Sequence, residues 1–159
     1  MPSMTARGGG RIINIASVAG KVGVPLRTAY CGAKHALIGF FDALRLEEHA
    51  RGTGVRVSNV CPGSVRTSIA VNAAMGDGSK RGQTDANIEA GLDVAWVADR
   101  ILAAADCGVD ESWIAGGLEL LLLYVGQYAP GLLKRMLMKK AVSIIQATQA
   151  PVASAGKEE

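Results

Sequence analysis

The chain has 159 residues, of which 49% are apolar and 19% are charged, a composition that suits one globular domain and gives little reason for disorder. Its net charge is +3, and no stripe of Arg and Lys is interleaved with aromatic residues, so nucleic-acid binding is not expected. The three cysteines are odd in number and form no CxxC pair, which argues against a disulfide framework and against a zinc site.

These features also bear on location and on metals. Unpaired cysteines predict a reducing compartment, and the N-terminal stretch MPSMTARGGGR lacks the long apolar run of a signal peptide or a membrane anchor. We therefore expect a cytoplasmic protein, or one at the cytoplasmic surface of a cellular or organelle membrane, and not a secreted one. No His, Cys and carboxylate cluster has ligand spacing, so no metal is expected, and His35 and His49 are interpreted as helix-surface residues.

The first predicted elements are a helical turn and a strand. Residues 1–6 resemble the last turn of a helix, and the glycine loop Gly8–Gly10 follows. Ile12–Ala16 is a short run rich in β-branched residues, which is typical of a strand buried on both faces of a parallel sheet. Ser17 comes next, so its hydroxyl is expected at the carboxyl end of the strand, where open α/β sheets bind ligands.

A loop and a long helix come next. Ala19–Leu26 contains Gly and Pro and is expected to line a substrate opening. Thr28 is a candidate N-cap for a helix that runs to about Ala50 and is stopped by Gly52 and Gly54. The predicted core face of this helix consists of Leu37, Phe40, Phe41 and Leu44, and its predicted solvated end consists of Glu47, Glu48 and Arg51.

Tyr30 and Lys34 are four positions apart, so they lie on the same face of the predicted helix. A free phenol titrates near about 10, and at neutral pH it is a poor proton donor or acceptor until a nearby cation stabilises its anion. Lys34 supplies that cation. Ser17 precedes Tyr30 by thirteen positions, and a strand-end hydroxyl beside a Tyr/Lys pair suits the interconversion of a carbonyl and an alcohol.

A second strand and a loop follow the helix. Val55–Cys61 is predicted as a parallel strand, because a strand, a long helix and another strand form a right-handed crossover. Pro62 and Gly63 end it. An ordinary turn would explain these two residues, and the alternative is a close approach of the backbone to a ligand. Ser68–Asn87, with its small and charged residues, is typical of a substrate lid.

The next elements are an amphipathic helix and a third strand. The helix spans Leu92–Ala105, with an apolar side formed by Trp96, Ile101 and Leu102, and Glu111–Ala115 is the strand candidate.

The stretch Leu118–Val142 is apolar up to Leu133 and then amphipathic, with four basic residues. Glu119, Gln127 and the Pro130-Gly131 pair argue against a membrane-spanning helix. Two alternatives remain for this stretch. It can lie in a membrane interface with its basic residues at the polar edge, or it can form a helical pair that covers a substrate pocket and packs on a partner subunit.

Three stretches resemble the short-chain dehydrogenase/reductase family. SVAGKVGVPLRTAYCGAK carries the Ser, the Tyr-x-x-x-Lys and the gap between them that recur together in that family. GRIINIASVAGKVGVPLRTAYCGAKHALIGFFDALRLEE resembles the family's fifth strand and helix, and is closest to the hydroxysteroid- and lipid-directed members. VRVSNVCPGSVRT resembles the sixth strand and the Pro-Gly-x-x-x-Thr loop that meets the nicotinamide. The resemblance covers about residues 1–117.

The resemblance implies an NAD(P)-dependent oxidoreductase. Ser17 would hydrogen-bond the carbonyl oxygen, Tyr30 would transfer the proton, and Lys34 would assist Tyr30 and hold the ribose. The implied cofactor-binding residues are Tyr30, Lys34, Pro62, Gly63, Val65 and Thr67. Among these, the backbone at Val65 would hold the carboxamide and the Thr67 hydroxyl a phosphate oxygen. The choice between NAD and NADP stays open.

The family's dinucleotide-binding half has no counterpart here. Gly8–Gly10 precede a strand, and Gly76 and Gly78 lie in a polar loop, so neither group is the Gly-rich turn that holds a pyrophosphate. Asn14 and Asn59 are interpreted as strand residues and not as the Asn of the family's proton relay. We expect a truncated gene product, a splice form or an incomplete gene model. The first strand then has an open edge, and the chain is expected to associate, swap or fold poorly alone.

The predicted fold is therefore the C-terminal half of a doubly wound, Rossmann-like α/β sheet, with three parallel strands starting at Ile12, Val55 and Trp113 and with flanking helices. Three units are predicted: a truncated catalytic domain over residues 1–117, an apolar and amphipathic helical segment over 118–145 and a disordered tail over 146–159. The predicted reaction interconverts a secondary alcohol and a ketone on a hydrophobic substrate such as a steroid or a retinoid-like lipid. The alternative is an inactive fragment that associates with a full-length relative or a membrane surface. Expected partners are a small-molecule substrate, further copies of the chain in a homo-oligomer and a membrane surface that the chain contacts peripherally.

Overall fold

The computed structural model describes residues 1–149. Within that range three parallel strands form one sheet in the order β1-β2-β3: β1 (Gly10–Ile15), β2 (Val55–Pro62) and β3 (Glu111–Ile114). The helices are α1 (Pro2–Ala6), α2 (Thr28–Ala50), α3 (Ala86–Glu89), α4 (Val94–Asp106), α5 (Gly117–Tyr128) and α6 (Pro130–Gln149). The predicted α/β fold, with parallel strands and flanking helices, is confirmed.

Helices cover both faces of the sheet, and β2 lies at its centre. The cluster on one face consists of Ala16, Ile38 of α2 and Cys61, with Trp113 packed against it. The cluster on the other face consists of Val60, Val97 of α4 and Ile114, with Ile13, Val65, Leu92 and Ile101 packed against it. Because both of its faces are covered, β2 is buried along most of its length, including the polar residues Ser58 and Asn59.

Two helices match their predicted core faces only in part. In α2 the buried apolar residues are Cys31 and Ile38, whereas Phe40 is 64% exposed. The other predicted residues of that face are half-buried, namely Leu37, Phe41 and Leu44. In α4 the buried residues are Val97 and Ala105, and Ile101 is partly buried against the core. Trp96 and Leu102 are exposed. Both helices carry apolar residues on more than one side, so periodicity alone does not decide which side faces the sheet.

The two ends of α2 also differ from the prediction. Thr28 is already helical, and Arg27 occupies the N-cap position without a side-chain capping bond. Glu48 is buried, because its carboxylate accepts hydrogen bonds of 2.7 Å from both Thr53 and Arg51. The hydrogen bond from Thr53 holds the pKa of Glu48 below its usual value, and Arg51 adds to this effect while burial opposes it.

Glycines allow the starts of β1 and β2 to approach closely. Gly52 and Gly54 follow α2 with φ of +63° and +71°, in keeping with the predicted helix end. A Cβ on Gly54 would collide with the carbonyl oxygen of Gly8, and a Cβ on Gly9 would lie 2.8 Å from the carbonyl oxygen of Gly54. The two turns therefore pack backbone against backbone.

A buried polar network joins both strands to α2. Asn14 Nδ2 donates to Asn59 Oδ1 at 2.8 Å, and Asn59 Nδ2 donates to Asp42 Oδ1 at 2.8 Å. Asn59 is fully buried, so its amide depends on these partners for hydrogen bonds. Asn14 and Asn59 lie within β1 and β2, in the strand positions that the sequence predicts.

We expect Asn59→Ala to lower the free energy of unfolding by about 2–3 kcal/mol, because it leaves the buried Asn14 amide without its acceptor and opens a small cavity. Urea denaturation followed by circular dichroism measures the change. The matched control is Asn72→Ala, at an exposed loop position, which should change stability by less than about 0.5 kcal/mol. Equal effects of the two substitutions would contradict a structural role for the network.

β1 forms an edge of the sheet. Among residues 1–149, β2 is the only strand that pairs with it, and Ile15 at its end is 45% exposed. An unpaired strand edge beside apolar side chains is a template for pairing with another chain. This edge is the physical basis of the prediction that the chain associates or folds poorly alone, which stays a prediction.

The C-terminal segment is a pair of helices, α5 and α6, separated at Ala129. Leu123 of α5 and Leu133 of α6 are buried, and a Cβ on Gly126 would lie 2.9 Å from Leu133 and 3.3 Å from Val22. α5 thus lies against α6 and against the loop that follows β1. In the part of the chain that the structure describes, no helix is both long enough and apolar enough to cross a membrane.

The predicted unit boundaries are not settled by these helices. α6 extends through residues 146–149, where the disordered tail was expected to begin, and the rest of that tail lies outside the described residues. The division into residues 1–117 and 118–145 remains a prediction.

Candidate active site

Tyr30 and Lys34 lie one turn apart near the beginning of α2. Lys34 Nζ is 5.7 Å from the centroid of the Tyr30 ring, and it donates a 3.1 Å hydrogen bond to the carbonyl oxygen of Ile15, the last residue of β1. Tyr30 is 43% exposed, so its phenol is open to a ligand and is not packed in the interior. The cation and the phenol therefore meet at the carboxyl end of β1.

Ser17 lies at the same end of the sheet, two residues beyond β1. Its hydroxyl oxygen accepts a 3.1 Å hydrogen bond from the backbone N–H of Ala19 and caps the short 3-10 turn Val18–Gly20. This bond occupies one lone pair of the oxygen and leaves the hydroxyl proton able to donate. Ser17 itself is buried, with 8% of its surface exposed.

The loop after β1 ends in an unusual backbone conformation. Leu26 has φ of +61°, and among residues 1–149 it is the one non-glycine residue with a positive φ. Its side chain is 62% exposed immediately before α2. The predicted opening loop therefore presents a leucine near the turn that carries Tyr30.

The loop after β2 contains the other predicted site residues. Leu92 N–H donates to Ser64 O and Arg66 N–H donates to Leu92 O, both at 2.9 Å, so Val65 pairs with Leu92 as an isolated parallel bridge. These bonds use the backbone of the residues on either side of Val65. The N–H and C=O groups of Val65 itself therefore point to the opposite side, where a ligand can reach them.

Gly63 and Thr67 complete this loop. A Cβ on Gly63 would overlap the Glu119 carboxylate and lie 2.8 Å from the Cβ of Ala115. The close approach that Gly63 permits is therefore to α5, whereas the sequence suggested a ligand. Pro62 is the last residue of β2, and Thr67 is exposed, with its hydroxyl accepting a 3.4 Å hydrogen bond from Ile69 N–H.

Sequence reasoning missed Glu119. It accepts hydrogen bonds from the backbone N–H and the hydroxyl of Ser64, which is fifty-five positions earlier in the chain. The only sequence signal was one acidic residue at the start of an apolar segment, and that signal does not identify a partner.

The predicted lid, residues 68–87, consists mainly of turns, with a bridge between Ala74 and Lys80. Asp85 at its end forms a 3.2 Å ion pair with Arg27, immediately before α2. The lid is therefore anchored next to the helix that carries Tyr30 and Lys34.

Cys61 lies beneath this site. Burial raises the pKa of its thiol to about 11 and Glu111 adds to the effect, while Lys21 and a backbone hydrogen bond with Ser17 oppose it. A buried thiol with a raised pKa is not a nucleophile at neutral pH. Across residues 1–149 no group of three or more His, Cys, Asp and Glu side chains could hold a metal ion.

We expect the stability of the protein to fall through Cys61 as pH rises from about 9 to about 11. The thiol of the unfolded chain ionises near its ordinary pKa of 9.0, whereas the folded thiol keeps its proton up to about 11, so the folded state binds more protons in this window. Denaturation midpoints at several pH values should decline less steeply for Cys61→Ala than for the parent. Cys107→Ala, at an exposed cysteine, is the control that should keep the parent slope.

Comparison with known proteins shows which proteins the chain is similar to. The family model for short chain dehydrogenases matches residues 1–77. "Dehydrogenase/reductase SDR family member 7B" of Danio rerio is 39% identical over 142 residues, which cover 89% of this chain and 45% of that protein. "Dehydrogenase/reductase SDR family member 7" of Homo sapiens is 35% identical over 130 residues, covering 82% and 38%. Over most of its length the chain is therefore similar to short-chain dehydrogenase/reductase proteins.

Solved structures agree in fold. A short chain dehydrogenase from Burkholderia cenocepacia in complex with NADP superposes with a TM-score of 0.66 at 24% identity, over 86% of this chain and 50% of that one. A family member from Burkholderia phymatum in complex with NAD gives a TM-score of 0.67 at 22% identity, over 82% and 52%. At these identities the likeness shows the fold alone. The chain spans less than half of the length of the two curated relatives named above.

Proposed function

We propose that the chain carries the catalytic segment of an NAD(P)-dependent oxidoreductase that interconverts a secondary alcohol and a ketone. The observation that carries the proposal is the contact of Lys34 with both the Tyr30 ring and the end of β1. In the proposal, a proton-transferring phenol, an adjacent cation and the strand-end residue Ser17 act on one carbonyl group.

Each side chain has a separate role in the proposed reduction. Ser17 donates a hydrogen bond to the ketone oxygen and orients it. Tyr30 gives its phenolic proton to that oxygen as the carbonyl carbon gains a hydride, and the positive charge of Lys34 stabilises the phenolate that remains. Oxidation of the alcohol runs the same steps in reverse. When bound, the cofactor supplies or accepts the hydride.

The loop after β2 suits a nicotinamide cofactor. The Val65 N–H and C=O groups, which point away from the bridge with Leu92, match the C=O and NH₂ groups of a carboxamide. In the proposal Thr67 binds a phosphate oxygen, Pro62 and Gly63 shape the loop, and Lys34 and Tyr30 contact the ribose. Both NADP and NAD occur in the two structural neighbours, so both are candidates here.

The substrate proposed for the site at the end of β1 is hydrophobic, of the steroid or retinoid-like lipid class. Support comes from the α5–α6 pair, which packs on Val22 in the opening loop, and from Leu26, which stands exposed in the same loop. These apolar surfaces border the end of β1 where the ketone would lie.

Titration of the chain with NADH and with NADPH, followed by nucleotide fluorescence, tests the proposal. We expect saturable binding that Lys34→Ala weakens and that Lys80→Ala, at an exposed lysine of the lid, leaves unchanged. Absence of binding up to millimolar nucleotide would favour the alternative of an inactive segment.

A second candidate function is association with an anionic membrane surface, at a cytoplasmic or an organelle membrane. α6 contains no acidic residue, and its basic residues are Lys134, Arg135, Lys139 and Lys140. Exposed apolar side chains share this helix, namely Leu132, Met136, Met138 and Val142. Apolar burial and attraction of basic side chains to anionic lipid act together in interfacial helices.

Sedimentation with phosphatidylcholine vesicles, with and without phosphatidylserine, tests this candidate. Each basic side chain near an anionic surface contributes about 1 kcal/mol, so Lys139→Gln/Lys140→Gln should weaken binding by about 10- to 30-fold. Arg7→Gln/Arg11→Gln removes the same charge elsewhere and should have little effect. Binding that does not depend on phosphatidylserine would contradict the proposal.

A third proposal is that the chain associates with a second copy of itself or with a full-length relative. The open edge of β1 and the exposed Phe40 and Trp96 give the chain apolar surface that a second copy or a full-length relative would cover. Sedimentation velocity should detect a homo-oligomer, and a monomer across the micromolar range would exclude one.

A further inference from the structure

We propose that Glu119 is the positioning residue of the loop Pro62–Thr67, which would contact the nicotinamide. This inference rests on the proposed function, because it concerns the loop assigned to the cofactor. Glu119 lies in the first turn of α5. Its hydrogen bonds within the described residues are made with Ser64 and not with Tyr30 or Lys34.

The contact between Glu119 and Ser64 is a clamp of three hydrogen bonds. The backbone N–H of Ser64 lies 3.1 Å from each carboxylate oxygen of Glu119, and the Ser64 hydroxyl donates to Oε1 at 2.7 Å. Hydrogen bonds to a charged acceptor are stronger than those between neutral groups. A single side chain therefore fixes both the backbone and the side chain of Ser64.

Ser64 is held from the other side as well. Its carbonyl oxygen accepts a hydrogen bond from Leu92 N–H, and the N–H of Gly63 donates to Ile114 O at the end of β3, both at 2.9 Å. With these bonds in place, the peptide groups that flank Val65 cannot rotate freely. The direction of the Val65 N–H and C=O groups, which the proposed carboxamide contact needs, is thereby set.

Gly63 is fitted to the same clamp. A Cβ at this position would overlap the Glu119 carboxylate, so a side chain there would displace the group that holds Ser64. The glycine and the glutamate form one arrangement in which the absence of a side chain at 63 makes room for the carboxylate. The sequence motif Pro-Gly in this chain is thus explained by α5 as well as by the end of the strand.

The test measures dissociation constants for NADH and NADPH in a double-mutant cycle of Glu119→Ala and Ser64→Ala. Glu119→Ala should weaken nucleotide binding by about 5- to 10-fold, because the loop loses order equivalent in free energy to about one hydrogen bond. The double variant should bind no more weakly than Glu119→Ala, because both substitutions remove the same contact. Glu47→Ala, at an exposed helix position, is the control and should bind like the parent.

A second measurement separates positioning from general stability. Hydrogen exchange should become faster in peptides that cover residues 63–67 of Glu119→Gln, which keeps the size of the side chain, while peptides from β1 keep the parent rate. Two results would overturn the inference. One is exchange in that loop at the rate of the parent protein. The other is a dissociation constant for Glu119→Ala within about twofold of the parent's, in a parent that binds nucleotide. A parent that binds neither nucleotide would instead refute the proposed function, and the inference with it.

Discussion

Tyr30→Phe is expected to lower the rate of the proposed alcohol–ketone interconversion by about 10²- to 10⁴-fold while nucleotide affinity stays nearly unchanged. The substitution removes the hydroxyl that carries the proton and keeps the ring that Lys34 contacts at 5.7 Å. Because the ring and the lysine stay in place, the loss should fall on turnover and not on binding. The measurement is steady-state turnover of a secondary alcohol, read from the absorbance of the reduced nicotinamide, in whichever form of the protein is active.

Tyr128→Phe supplies the matched control for this experiment. Tyr128 is 81% exposed near the end of α5, so loss of its hydroxyl should leave both turnover and binding unchanged. If Tyr30→Phe keeps parent turnover, the proton comes from another group and the role given to Tyr30 is wrong.

Gly54→Ala is expected to lower the free energy of unfolding by about 2–5 kcal/mol, which is a large share of the stability of an ordinary domain. Two costs combine. The left-handed conformation at φ of +71° costs an alanine about 1–2 kcal/mol, and the collision of its Cβ with the Gly8 carbonyl oxygen adds the strain of an overpacked contact, about 1–3 kcal/mol. Chemical denaturation gives the value directly.

Gly52→Ala separates the two costs. Gly52 has a similar φ of +63°, but a Cβ there meets nothing within 4 Å, so only the conformational cost applies. We therefore expect a loss of about 1–2 kcal/mol in this variant. Similar losses in Gly52→Ala and Gly54→Ala would mean that the two glycine turns do not depend on their close contact.

Local patterns in the sequence were sufficient for the strands, for α2 and for the neighbourhood of Tyr30 and Lys34. β-branched runs bounded by glycine and proline predict buried parallel strands, and a spacing of four predicts a shared helix face wherever the chain is helical. Both signals come from residues close together in sequence. They do not depend on how the elements pack against one another.

The features that could not be predicted depend on particular contacts that periodicity does not encode. Glu48 is buried because the turn after α2 brings Thr53 and Arg51, five and three positions away, onto its carboxylate. Glu119 gave no sign of its contact with Ser64, which is fifty-five positions away. Phe40 was predicted as a core residue because hydrophobicity does not distinguish a side chain that faces the sheet from an exposed one.

The backbone at Leu26 has a consequence for engineering. A leucine held at φ of +61° carries about 1–2 kcal/mol of conformational strain, which glycine at the same position would release. Glycine would also add backbone entropy to the unfolded chain, so only the difference between the two effects would reach the folded protein, and the aliphatic side chain before the turn that carries Tyr30 would be lost. Low conformational strain and contact with a hydrophobic ligand therefore favour different residues at this position.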